Sequence, residues 1–443
     1  MKILLIVFTI LITDFYYFPF ETTFLPGVNT KMILAAIGLG LVTIKAANMK
    51  MGLINKGLFS LTLWALAISL ISYAAITINN TNDPSYINYF ISMWVWLAGA
   101  YTVTYCIKQT HGHLSVELLI NYLVTVCTLQ CTIALILDSL PALDAYINSY
   151  LAGEKFMGGE DLGNRLHGIG CALDVAAIRF SAVLIMIAYL LIQKREKFTT
   201  FQTWLYILSF ITISIVGNMI GRTVTVGIVV ALAYWLYNMI NGIYSHKMLK
   251  TLGISLIILI PSLTIAYHTN ANIRTHLRFG FEGFFSIYEK GHWETNSNNI
   301  LKNMIVFPDN MKTWIIGDGY AANPGDTSSP YFDPYYTGKK FHGYYMQTDI
   351  GYLRFIFYFG TIGLAIFIGY FLAVGNVCMK NLPKHKPLFF LLLCINFLVW
   401  FKVSTDIFLA FAPFLCISKE KEEEAALEEI EKQEEVAISE NPL

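Results

Sequence analysis

Apolar residues in this chain come in blocks near 20 residues long, at about 3–20, 32–48, 58–78, 87–107, 116–137, 172–193, 201–220, 223–243, 251–267 and 351–378. That is the length of helix needed to cross about 30 Å of hydrocarbon. A soluble core would show shorter, amphipathic segments. A further stretch, 388–417, is too long for one crossing and is interrupted by Lys402 and Asp406, so it reads as two short helices turning at Lys402. The pattern predicts an all-α polytopic membrane protein with about twelve transmembrane helices. The first block, MKILLIVFTILITDFYYF, lacks a small-residue cleavage site and reads as the first helix rather than a signal peptide.

Two segments between the blocks are longer than connectors need to be, at about 138–171 and 268–350. Loops beyond about 12–15 residues usually carry function or are disordered. The second is rich in Tyr, Asn, Gly and Pro, and its pieces GFEGFFSIYEK and NILKNMIVFPDNMKTWIIGDGY place apolar residues at helical spacing. Short amphipathic helices lying on the membrane surface are expected there.

Composition strengthens the membrane reading. Of 443 residues, 56% are hydrophobic and 14% charged, against about 25% charged in soluble domains. The formal net charge is zero, yet the tail from Lys419 to Leu443 holds three Lys and ten Glu. The chain therefore divides into a membrane domain, 1–418, and a charged cytoplasmic tail, 419–443. Basic residues such as Lys2, Lys45, Lys56, Lys108, Lys194, Arg195, Lys247, Lys250, Lys380 and Lys384 fall on alternate connections, whereas Asp14, Glu21, Asp83, Asp138 and Asp144 fall on the others. The positive-inside bias puts both termini in the cytoplasm and the two long segments outside. Nothing in the charge pattern points to nucleic acid.

The seven cysteines lie in or beside apolar blocks, and Cys127 and Cys131 share a helix face without a histidine nearby. Buried thiols are expected rather than a metal site. No Walker A, HExxH or GxSxG sequence occurs, so ATP-driven transport, zinc hydrolysis and serine-elbow chemistry have no local support.

Charges at membrane depth are costly and point to function. Arg179 and Asp174 lie five apart in the sixth block, out of register for an intrahelical pair, so each is free to face a partner helix or a ligand. Arg222 stands in GNMIGRTVTVG at a helix start, where a guanidinium fork and free N–H groups suit an anion. His342 and Asp349 precede the 351–378 block; the first is a candidate general base or a solvated loop histidine, the second a base or a helix cap. Arg354, five residues further, needs an anionic partner such as Asp349, Asp406 or a ligand. Lys402 and Asp406 are four apart and share a face if the chain stays helical between them. Arg179, Arg222, Arg354 and Lys402 all fall near the same side of the membrane, and Arg165 and Arg278 lie in the long segments of that side. Several cations at one depth argue for a polyanionic ligand.

In layout, and in the pieces GNMIGRTVTVGIVVALAY, WIIGDGY and TDIGYLRFIFYFGTIG, the chain resembles the O-antigen polymerase (Wzy) family within the wider O-antigen ligase and polymerase group. The resemblance implies a metal-independent, cofactor-free glycosyltransferase of the bacterial inner membrane. Such an enzyme moves a growing glycan from undecaprenyl diphosphate to the next lipid-linked repeat unit on the periplasmic side. It implies Arg222 and Arg354, with Lys402, as diphosphate contacts, and His342 or Asp349 as the base. A chain-length regulator protein is an implied partner. One pattern of that group is absent: eleven residues after Arg165, Arg274 and Arg278 stand Ala176, Phe285 and Glu289 rather than Gly, which weakens a loop-for-loop transfer of a glycan-binding role. The alternatives are an O-antigen ligase, which hands the finished glycan to lipid A core or to a protein, and a lipid-linked oligosaccharide flippase. A flippase would need two similar halves and charges through the whole membrane; the charges here sit on one side, and no repeat is visible.

Overall fold

The computed structural model describes residues 2–49, 56–152, 164–329, 331–340 and 342–417; the acidic tail 419–443 and part of the 138–171 segment lie outside the described residues. Every apolar block is a helix. In chain order these are α1 (Lys2–Tyr17), α2 (Thr30–Met49), α3 (Lys56–Asn79), α4 (Tyr89–His111) and α5 (Val116–Ser139). Past the short α6 (Pro141–Asn148) come α7 (Leu173–Gln193), α8 (Thr200–Ile220), α9 (Val224–Ile240) and α10 (His246–Thr269). The second long segment carries α11 (Ala271–Gly280), α12 (Glu282–Lys290), α13 (Asn296–Asn303) and α14 (Met311–Ile315). The bundle is completed by α15 (Gly351–Asn381), α16 (Lys386–Val399) and α17 (Phe408–Leu415). Among the described residues the strands are two antiparallel pieces of two residues each, β1 (Glu21–Thr22) and β2 (Leu151–Ala152), joining the α1–α2 connection to the α6–α7 segment.

Eight helices, α2, α3, α4, α5, α7, α8, α10 and α15, are long and apolar enough to cross a membrane. The chain is an all-α polytopic membrane protein. The helices α1, α9, α16 and α17 are shorter, at 16, 17, 14 and 8 residues. Their ends follow side-chain chemistry. Ser115 and Ser245 cap α5 and α10, and Thr199 with Gln202 forms a capping box on α8, each satisfying N–H groups that the first turn leaves open.

The centre of the bundle is α7. Past its first turn it is apolar on nearly every face, as a helix enclosed by others must be, and every residue from Ala176 to Ile192 is buried. α5, α8, α9 and α16 pack around it, while α10 stands at the periphery.

α15 is broken at Phe359–Gly360, where Gly360 takes a φ of +69° that side-chain-bearing residues rarely adopt. The break frees carbonyls that nothing in a bilayer could satisfy. Here the WIIGDGY element fills the need: the N–H groups of Asp318 and Gly319 donate to Phe357 O (2.6 Å) and Tyr358 O (3.0 Å). The α3–α4 connection clasps the same element from the other side. Asn79 Nδ2 donates to Gly317 O (3.0 Å), Thr81 Oγ1 to Gly319 O (3.0 Å), and the Asp83 carboxylate accepts from the N–H groups of Ala321 (2.7 Å) and Ala322 (3.1 Å). Thus the interior of the second long segment is anchored to the α15 break and to the α3–α4 connection, as well as at its own ends.

Candidate functional site

The N-terminal ends of α7, α9 and α15 meet the chain between α16 and α17 at one end of the bundle, the end that also carries both long segments. Two close approaches bring them together. A Cβ at Gly221 would stand 2.8 Å from Leu173 O and from Ala177 Cβ, so only glycine lets the α8–α9 turn settle on the start of α7. A Cβ at Gly351 would stand 2.5 Å from Val403 O; its absence lets α15 begin against residues 400–403, where Tyr352 N–H donates to Trp400 O (3.1 Å).

Those approaches assemble an ionic cluster. Lys402 Nζ lies 3.0 Å from Asp174 Oδ1 and donates to Thr223 Oγ1 at 2.8 Å, and the Thr223 hydroxyl donates to Asp174. Arg354 Nη1 is 3.5 Å from Asp349 Oδ1, and its guanidinium lies 3.7 Å above the Tyr344 ring. The Arg354 Nε is buried without a partner. Asp349 also lies within Coulombic reach of Asp174 and Lys402, so the two pairs form one electrostatic unit. Burial pushes the Asp349 carboxyl up to about 6, against the opposing pull of the Arg354 guanidinium.

Beside this cluster opens a cavity of about 850 Å³, lined by Arg165, Arg222, Arg278, Phe279, Glu282 and Asn296 among others. The Phe279 ring carries the guanidinium of Arg222 at 4.5 Å and that of Arg165 at 5.2 Å. Arg222 is paired with Glu282, and Arg278 with Glu289 at 2.7 Å. Arg165 is held in place by its neighbours, since Leu166 N–H donates to Met219 O (3.1 Å) and His276 bridges Asn164 O (2.8 Å) and Asp138 (2.9 Å). Arg165 lies within Coulombic reach of both Asp174 and Arg222 and so links cavity and cluster.

Several expectations change. Lys402 and Asp406 do not neutralise each other: residues between Trp400 and Ile407 are not helical. Lys402 turns to Asp174, whereas Asp406 accepts from Tyr89 Oη (3.2 Å) and Phe408 N–H (2.9 Å). The N–H groups beside Arg222 are not free for an anion, because those of Val224, Thr225 and Val226 donate to Gly221, Arg222 and Thr223 carbonyls. Arg179 does not join the cluster. It points to the other face of α7, 5.7 Å over Phe18. His342 stands at the surface, 82% exposed, with Nδ1 2.8 Å from Asp326. That carboxylate sits below the usual range, held down first by the Gly343 N–H and then by Ser328.

Sequence reasoning missed Glu282 and Phe279. Both belong to the amphipathic stretch of the second long segment, and no local spacing ties Glu282 to an arginine 60 residues away. Among the described residues no group of His, Cys, Asp or Glu is arranged to hold a metal ion. No family model matches this chain, and neither a curated protein nor a solved structure matches it.

Proposed function

We propose that this protein is a metal-independent glycosyltransferase that polymerises lipid-linked oligosaccharide repeat units, working on undecaprenyl-diphosphate-linked glycan at the periplasmic face of a bacterial inner membrane. On this reading the chain crosses the membrane twelve times, with α1 and α9 as short spans and α16–α17 as the last hairpin. Both termini are cytoplasmic, and the two long segments face the periplasm. The observation that carries the reading is the meeting of Arg165, Arg222, Arg354 and Lys402 at one end of the bundle, beside a cavity of about 850 Å³.

Three carboxylates, Asp174, Asp349 and Glu282, offset most of that charge in the free protein. A diphosphate arriving from the bilayer replaces the carboxylates on Arg222 and Arg354, and the guanidinium forks then stabilise the charge that develops as the diphosphate leaves. Asp349 takes the proton of the acceptor hydroxyl. It is favoured over His342 because it sits inside the cluster, with a carboxyl raised to about 6 by burial. The glycan occupies the cavity over α11 and α12, with Arg278 at its rim. A chain-length regulator is the protein partner this activity calls for.

The test is reconstitution. Purified protein with lipid-linked repeat units is expected to build a glycan ladder, and Arg222→Ala or Arg354→Ala to abolish it at unchanged expression. A full ladder from both variants would overturn the diphosphate assignment. Transfer to a lipid A core or protein acceptor, without a ladder, would make the enzyme a ligase.

A further inference from the structure

We infer that His276 is a proton-dependent latch between two walls of the cavity that holds Arg222 and Phe279. The latch is shut while the His276 contact keeps an extra proton, and it is released when that proton is lost. One wall is the stretch Asn164–Arg165; the other is α11, through Thr275, Arg278 and Phe279. His276 stands on α11 and reaches across. Its Nδ1 lies 2.8 Å from Asn164 O, and its Nε2 lies 2.9 Å from Asp138 Oδ1 in the last turn of α5. The imidazole is 12% exposed, so water does not freely replace either partner. The latch belongs to the cavity whatever ligand that cavity takes.

The chemistry follows from the two partners. A backbone carbonyl only accepts, so Nδ1 must carry a hydrogen to bond Asn164. The Asp138 carboxylate facing Nε2 also accepts, unless it holds the proton itself. Either way the contact binds one proton more than a neutral imidazole beside an ionised carboxylate. Without that proton the ring has one hydrogen for two acceptors. The carboxylate makes the stronger, charge-assisted bond, so the ring keeps Asp138 and gives up Asn164. That parts α11 from the stretch carrying Arg165.

The surrounding charges leave this role to the one pair. α11 packs against α8, α10 and α12. α8 carries no charged residue, and α10 presents only His268 at this end. On α12, Glu282, Glu289 and Lys290 are held by Arg222, Arg278 and Glu294. Besides His276 and Arg278, α11 itself carries Arg274. His167, two residues past Arg165, faces Asp144 of α6 at 3.5 Å. Among the described residues it has no second acceptor, so a neutral ring satisfies it.

The test is hydrogen exchange on the full chain in dodecyl maltoside, followed by mass spectrometry from pH 5 to 8, the span in which histidines change charge. After correction for intrinsic exchange, protection of the 164–172 stretch is expected to fall by about tenfold across that span, in line with one hydrogen bond to a charged group. His276→Gln, which cannot change charge, should give a flat profile. Asp138→Asn should move the fall to lower pH, since it removes the charge that favours the extra proton. His167→Gln should leave the profile as in the wild type. A flat wild-type profile, a fall that persists in His276→Gln, or one abolished by His167→Gln would each overturn the latch. If His276→Gln does not fold, an unmoved fall in Asp138→Asn does so instead.

Discussion

Lys402 Nζ and Asp174 Oδ1 stand 3.0 Å apart although 228 positions separate them in the chain. The pair fastens the turn between α16 and α17 to the first turn of α7, with the Thr223 hydroxyl as third member. Both side chains are about a quarter exposed, so the contact is only partly screened. A double-mutant cycle of Lys402→Met and Asp174→Asn is expected to give a coupling of about 1–2 kcal/mol in thermal or denaturant unfolding. Additive single effects would mean that the two residues do not hold this junction together.

Asp349 gives the site a pH signature. As the proposed base it must be ionised, so activity is expected to be present above pH 6 and lost as pH falls through about 6. Since Arg354 pulls that value down, Arg354→Gln should move the acid limb of any residual turnover to higher pH. The linkage to stability has the opposite sense: a carboxyl raised in the folded state makes the protein less stable as pH climbs from 3.8 through about 6. An acid limb that Arg354→Gln leaves in place would remove Asp349 from the role.

Glu282 competes with any anion for Arg222. Replacing it in Glu282→Gln frees the guanidinium while keeping an amide of the same shape. Pyrophosphate, measured by calorimetry on the detergent-solubilised chain, should bind about two- to fivefold more tightly, the range expected for a partly exposed ion pair. Weaker binding would show that Glu282 itself helps to hold the ligand.

The clasp at the α15 break makes a stability prediction. Asp83 accepts from two backbone N–H groups of the 321–322 segment. Asp83→Ala leaves both unsatisfied and is expected to cost about 2–3 kcal/mol. Limited proteolysis should then cut the 268–350 segment faster than in the wild type, with the helices intact. Equal cleavage rates would mean that the segment is anchored elsewhere.

Helix content and membrane character were legible in the chain because both depend on local quantities, apolar run length and the spacing of charges. All the blocks read from hydropathy are helices, down to the turn near Lys402 that divides the last stretch in two. The partners of the charges were another matter. Which face Asp174 and Arg179 take on α7 follows from a spacing of five residues, yet only packing decided that Asp174 meets Lys402 while Arg179 meets Phe18. Local spacing made Lys402 and Asp406 neighbours, and the non-helical turn between them separated the two. Glu282 reached Arg222 through the fold of α11 and α12 against the α8–α9 turn, a contact no periodicity encodes. By itself, then, the sequence determined that this is a polytopic helical membrane protein with a few charges set within or beside its apolar blocks. Tertiary structure alone decided which cations share a site and which, like Arg179, remain buried without an anion, because ion pairing between helices is set by crossing geometry and not by order along the chain.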